Sequence, residues 1–116
     1  ERLYPQDSGA MEDRGLNAGE GANINVPLPP GSGHGAYLAT MERVVLPALR
    51  RFRPDVIVVA CGFDASAMDP LGHMLLTSES YREMTRMICS ASEELCGGRV
   101  LLTHEGGYSA DYVPNC

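Results

Sequence analysis

The chain has 116 residues, 44% of them apolar, a size and composition that suit one globular domain or part of one and exclude a disordered, solvated chain. Nine Lys and Arg against fifteen Asp and Glu leave a net charge of -6, the wrong sign for neutralising phosphates, so direct nucleic-acid binding is disfavoured. No apolar run approaches the ~20 residues that cross a bilayer, and no charged-then-apolar leader opens the chain; the expectation is a cytoplasmic or otherwise intracellular protein, with the nucleus also open to it if the source is eukaryotic, and without a membrane partner.

Residues 1–22 are rich in Gly, Asp, Glu and Asn with little apolar periodicity, and read as loop. "NINVPL" is expected to form a short strand ending at Pro27, and "PLPPGSGHG" a turn-rich connector. Leu38, Met41, Val45, Ala48 and Leu49 then recur at helical spacing, which predicts a helix from about 35 to 52. Pro47 should kink or restart it, because proline has no N–H to donate and crowds the preceding turn. After Arg53-Pro54-Asp55, "VIVVAC" is apolar at every position, the pattern of a central parallel strand covered on both faces by helices. Thr77 or Ser78 is a credible N-cap, with Glu79 in the first turn where a carboxylate suits the helix dipole. Tyr81, Met84, Met87, Ile88, Ala91 and Leu95 form an apolar stripe that Gly97-Gly98 ends. "RVLLT" is the next buried strand and "HEGGYS" the loop leaving its carboxyl end. Strands alternating with helices predict an α/β unit with right-handed crossovers. Cys61, Cys89, Cys96 and Cys116 lack the CxxC spacing of a metal motif and read as small core residues in a reduced compartment.

In open α/β sheets, ligands gather beyond the carboxyl ends of the strands. "GFDASAMDPLG" and "HEGGYS" both leave such ends, one offering Asp64 and Asp69, the other His104, Glu105 and Tyr108 beside two glycines. A carboxylate-rich strand end with a nearby His points to a site for a hard or borderline cation. Asp69 precedes Pro70 and reads as a turn initiator. Asp64, directly off a buried strand, would be costly to place there without a cation or several donors. His104 alone reads as a hydrogen-bonded structural group rather than a ligand. Tyr108 is open between a polar core residue and a donor to a developing oxyanion.

The segments "LYP", "NINVPLPPGSG", "LPALRRFRPDVIVVACGFDASAMDPLG", "LTSESYREMT", "EGGYS" and "YVPNC" run in the order of a known family. The chain resembles the zinc-dependent histone deacetylase superfamily, in the bacterial and class II-like branch that borders the acetylpolyamine amidohydrolases. The resemblance implies a three-layer α/β/α fold with a parallel sheet, the arginase/deacetylase type, of which residues 1–116 would be a partial catalytic domain lacking its N-terminal half and its C-terminal end. It implies Zn2+ held by two aspartates and a histidine, Asp64 matching the second aspartate, while the D-x-H motif and the paired histidine base and acid would precede residue 1. Tyr108 matches the tyrosine that donates to the acetyl carbonyl and its oxyanion, and Gly106 and Gly107 match the glycine run beside it. Leu71 and Tyr4 match walls of the acyl-lysine channel, Tyr4 standing where Phe is frequent; Glu105 is the class II-like form, and His104 matches no ligand.

On this resemblance the whole protein would hydrolyse the acetyl amide of acetyl-lysine in histones or other proteins. A small-molecule amidohydrolase acting on acetylated polyamines would use the same site, and a non-catalytic relic or interaction module would keep the fold without the chemistry. The isolated 116 residues, with one of three ligands, are expected to be inactive and poorly soluble.

Overall fold

The structure, a computed structural model, describes residues 8–116, which divide into two compact units, one ending at Pro30 and the other running from Gly31 to Cys116. In the first unit the strand expected over "NINVPL" is absent, and the described residues there are irregular chain with a few turns and one short 3-10 turn, Asn17–Gly19. The reason lies in the side chains. Asn23 and Asn25 donate to the carbonyls of Asp13 (2.5 Å) and Ala10 (2.8 Å), while Asp13 accepts the N–H groups of Gly9 and Ala10. Asn and Asp side chains compete in this way with backbone ladders, and Pro27, Pro29 and Pro30 have no N–H to offer one.

The second unit opens with the expected helix, in three parts: α1, His34–Thr40; a π-helical turn, Met41–Val45; and α2, Leu46–Phe52, with Pro47 in its first turn. Proline cannot donate to the carbonyl four residues back, and the wider π turn just before it absorbs the mismatch, so the three helical parts follow one another without a break. Arg53 ends α2 in the left-handed region (φ 55°), its N–H still reaching the carbonyl of Leu49, and Pro54 prevents continuation.

Strand β1, Ile57–Cys61, pairs in parallel with β2, Val100–His104, from Ile57 opposite Val100 to Cys61 opposite His104. The crossover between them is α3, Ser78–Cys96. Thr77 is its N-cap in a reciprocal box: its side chain accepts the Ser80 N–H, and Ser80 Oγ accepts the Thr77 N–H at 3.2 Å. The hydroxyl of Tyr112, far along the chain, accepts the next free donor, the Ser78 N–H, at 3.0 Å. Gly97, left-handed at φ 60°, closes the other end.

Helix α3 packs on α1 and α2, with Met41, Ile57, Leu76, Tyr81, Ala91 and Cys96 as the buried apolar residues. The stripe read from periodicity is only half right. Tyr81 and Ala91 are buried, but Met84, Met87, Ile88 and Leu95 are half-buried, and Ser80 and Ser92 take the tightest places. Small hydroxyls fit there because each is satisfied locally: Ser80 Oγ lies 3.1 Å from His34 Nδ1, and Ser92 Oγ donates to the carbonyl of Cys89. Cys89 itself is exposed, against the expectation of a core cysteine; Cys96 is buried and Cys61 and Cys116 are half-buried, all four as free thiols. The sheet also departs from two-sided burial. Ile57, Val59 and Cys61 face cover, whereas Val58 (61% exposed) and Leu101 (55%) lie open.

Candidate active site

The parallel ladder does not stop with the regular strands. Beyond β1 and β2, the Glu105 N–H donates to the carbonyl of Cys61 (3.0 Å), and the Phe63 N–H to that of Gly106 (2.8 Å). Two more rungs therefore zip the loop after β1 to the loop after β2. The Phe63 ring anchors this junction, edge-on to Tyr81 at 4.9 Å and tilted against His104 at 5.2 Å. Asp64 follows directly in the chain.

The Asp64 carboxylate sits in a cradle of two glycines. A Cβ at Gly62 would come within 2.8 Å of Asp64 Oδ1, and one at Gly106 would collide with Oδ2. The Tyr108 hydroxyl is 3.4 Å from that same Gly106 position, so carboxylate and phenol converge on one glycine from two loops. Gly107, at φ 133° with Phe63 and Val113 against it, makes the turn that carries Tyr108 back, a conformation closed to other residues. Tyr108 and Leu71 are both 57% exposed, open to an incoming molecule.

Asp64 accepts no hydrogen bond among the described residues although it is half-buried. A carboxylate in that state is short of positive charge or donors, and the donor chemistry fits a Zn2+ ligand. It fits as one ligand only: among the described residues no three His, Cys, Asp or Glu side chains come together. His104 is exposed, its ring tilted against Phe63, and Glu105 is exposed and accepts the Thr103 hydroxyl at 3.0 Å. Tyr4 lies outside the described residues.

Asp69 does more than start a turn. It is only 9% exposed, and its Oδ1 accepts the N–H groups of Leu71 and Gly72, each at 2.8 Å, as a turn-forming Asp should. Its Oδ2 accepts the N–H of Tyr108, also at 2.8 Å, across to the other loop. Burial would raise its pKa, but the donors from Tyr108, Gly72 and Leu71 outweigh that and hold the carboxyl below the usual carboxylate range. No pattern in the sequence announces a partner 39 residues away. Behind the junction, burial raises the pKa of the Tyr81 phenol, the charges of Cys116, Tyr37, Cys61 and Asp64 raise it further, and its hydroxyl has no partner among the described residues. A hollow of about 620 Å³ between β2 and α3 is lined by Cys61, Phe63, Tyr81, His104 and Cys116, without Asp64 or Tyr108.

Fold and site together define a class: a parallel α/β domain whose strand-end loops present a lone carboxylate and a phenol side by side. Residues 1–116 match the family model described as histone deacetylase domain, and the chain belongs to that family. It is 56% identical over 113 residues to a histone deacetylase-like amidohydrolase of Pseudomonas aeruginosa, covering 97% of this chain and 30% of that protein. It is 42% identical to histone deacetylase 8 of Arabidopsis thaliana, with the same coverage of 97% and 30%. Among solved structures, the histone deacetylase Clr3 superposes with a TM-score of 0.89 at 39% identity, over 98% of this chain and 19% of that one. The acetylpolyamine aminohydrolase of Burkholderia pseudomallei superposes with a TM-score of 0.84 at 30% identity, over 95% and 30%. The α/β architecture expected from the sequence is thus the deacetylase fold, and the chain spans about 30% of the length of the first two relatives.

Proposed function

We propose that the protein carrying this chain is an amidohydrolase that removes acetyl groups from lysine side chains of proteins. The observation that carries the reading is the convergence of the Asp64 carboxylate and the Tyr108 hydroxyl on Gly106. Asp64 would be one of the ligands of a Zn2+, the others coming from outside residues 1–116. Zn2+, when bound, supplies Lewis-acid polarisation of the scissile amide. Tyr108 donates its hydroxyl proton in a hydrogen bond to the acetyl oxygen and holds it more strongly as negative charge develops there. Gly106 leaves room for the Asp64 carboxylate and Gly107 makes the turn that carries Tyr108 toward the reacting amide, and Leu71, which is exposed, would line the acyl-lysine stem.

Hydrolysis of acetylated polyamines is the second reading, supported by the superposition on the Burkholderia pseudomallei enzyme at 30% identity; the higher identity to Clr3 and the Arabidopsis protein favours the first. The test uses the full-length protein, assayed on an acetyl-lysine peptide and on an acetylated polyamine. Tyr108→Phe should keep bound zinc and lose roughly a hundred- to thousandfold in kcat, whereas Asp64→Asn should lose the metal itself. Wild-type turnover in Tyr108→Phe would remove the phenol from the chemistry, and turnover confined to the polyamine would move the protein to the second reading. Absence of both activities in zinc-loaded wild-type protein would leave a non-catalytic relic.

A further inference from the structure

The two loops that meet at Gly106 are joined at their tips by one side chain. Asp69 accepts Leu71 and Gly72 through Oδ1 and Tyr108 through Oδ2, all at 2.8 Å, and is nearly buried. Each of the three donors bears on the site. Leu71 is exposed, Tyr108 carries the phenol, and Gly72 packs so closely on the Asp64 backbone that a Cβ there would collide with the Asp64 carbonyl. The other rungs between the loops end at Gly106, and the bond that follows is Gly107, the one residue in this stretch held at positive φ. Past that turn, the Tyr108 N–H has Asp69 as its acceptor, and the next local bonds begin only at Ser109.

We propose that Asp69 is a positioning residue that sets the Tyr108 phenol beside Asp64 by clamping the loop after β2 onto the loop after β1. The assignment deepens the reading of Tyr108 as oxyanion donor and rests on it. A carboxylate suits the task because it offers acceptors on both sides and none of the donors that would repel the facing N–H groups. Bonds to an ionised acceptor are also the shorter and stronger kind. A neutral amide at this position keeps one acceptor face and turns a donor to the other.

The experiment compares Asp69→Asn with wild type in the full-length protein, each with and without Tyr108→Phe. Asn keeps the turn to Leu71 and Gly72 and loses the bond to Tyr108. The expected result is a roughly ten- to hundredfold fall in kcat with KM and zinc content little changed. In the Tyr108→Phe background the same substitution should cost almost nothing further, since residues acting as a unit are not additive. A reading independent of activity is amide exchange: peptides spanning 105–109 should exchange faster in Asp69→Asn, with those of α3 unchanged. Equal losses of kcat in both backgrounds overturn the proposal, because Asp69 would then act without Tyr108. Unchanged exchange at 105–109 overturns it as well, since the clamp would not exist. Full turnover in Tyr108→Phe alone overturns it from beneath, and is distinguishable because it appears without any change at Asp69. Should Asp69→Asn fold poorly, Asp69→Ser serves in its place: a Ser hydroxyl supports the turn and is too short to reach Tyr108.

Discussion

At the scale of single residues, the site is made as much by missing atoms as by present ones. Asp64 can lie where it does because Gly62 and Gly106 have no Cβ to displace it. Gly106→Ala in the full-length protein should therefore push the carboxylate aside while leaving the loop formed. Changes that disturb the orientation of a metal ligand typically cost ten- to a hundredfold in affinity, so zinc affinity measured by competition with a chelator should fall by about that factor. Wild-type affinity would show that the carboxylate has room to evade the methyl group. Asp64 and Tyr108 were legible in the sequence as polar residues just past apolar strands, where neither is needed for packing. Asp69 was legible only as a turn. Its bond to Tyr108 depends on two loops that the chain brings together over 39 residues, and local patterns carry no such information.

At the scale of elements, end signals proved more informative than periodicity. Thr77, Glu79 and the Gly97-Gly98 pair mark the limits of α3 as observed, because caps satisfy specific backbone groups wherever the helix packs. The apolar stripe misjudged the closest contact, where Ser80 and Ser92 sit, because a helix that approaches its neighbours closely selects for volume as well as polarity. Pro47 predicts a kink or a restart, and the π turn Met41–Val45 before it is the form the disturbance takes. The strand expected over "NINVPL" failed because side-chain amides took the neighbouring carbonyls. Helix α3 begins next to the loop that carries Asp64, and Phe63 leans on its Tyr81, so its N-terminal turn supports the site. Thr77→Ala removes an acceptor from the capping box and should lower the stability of the full-length protein by about 1 kcal/mol, read from the shift of the urea midpoint at unchanged slope. A shift within error would mean that the Tyr112 hydroxyl, which already takes the Ser78 N–H, makes the box redundant.

At the scale of the whole molecule, two parallel strands with one open face are not a finished sheet. Val58, Leu101 and Leu102 are 61, 55 and 42% exposed, and parallel strands are ordinarily covered on both faces. The 116-residue polypeptide expressed alone should self-associate, eluting ahead of a monomer in size exclusion and binding an apolar dye; a cooperative melt of a monomer would contradict this. Charged residues at Val58 and Leu101 should reduce the association, because they break the apolar face without touching the covered one. Activity of that isolated polypeptide is not expected, since Asp64 stands without two further metal ligands among the described residues.

The sequence by itself determined the alternation of strands and helices, the helix caps, and the two strand-end loops to which the proposed chemistry is assigned. It could do so because those features follow from local valence, chain stiffness and the burial pattern of a few neighbouring residues. Only the tertiary structure decided that the two loops are zipped together past their strands, that Asp64 lies in a glycine cradle beside the Tyr108 hydroxyl, and that Asp69 ties them. Those are distances between residues about 40 positions apart, and they exist only once the parallel pairing of β1 with β2 has set one loop against the other.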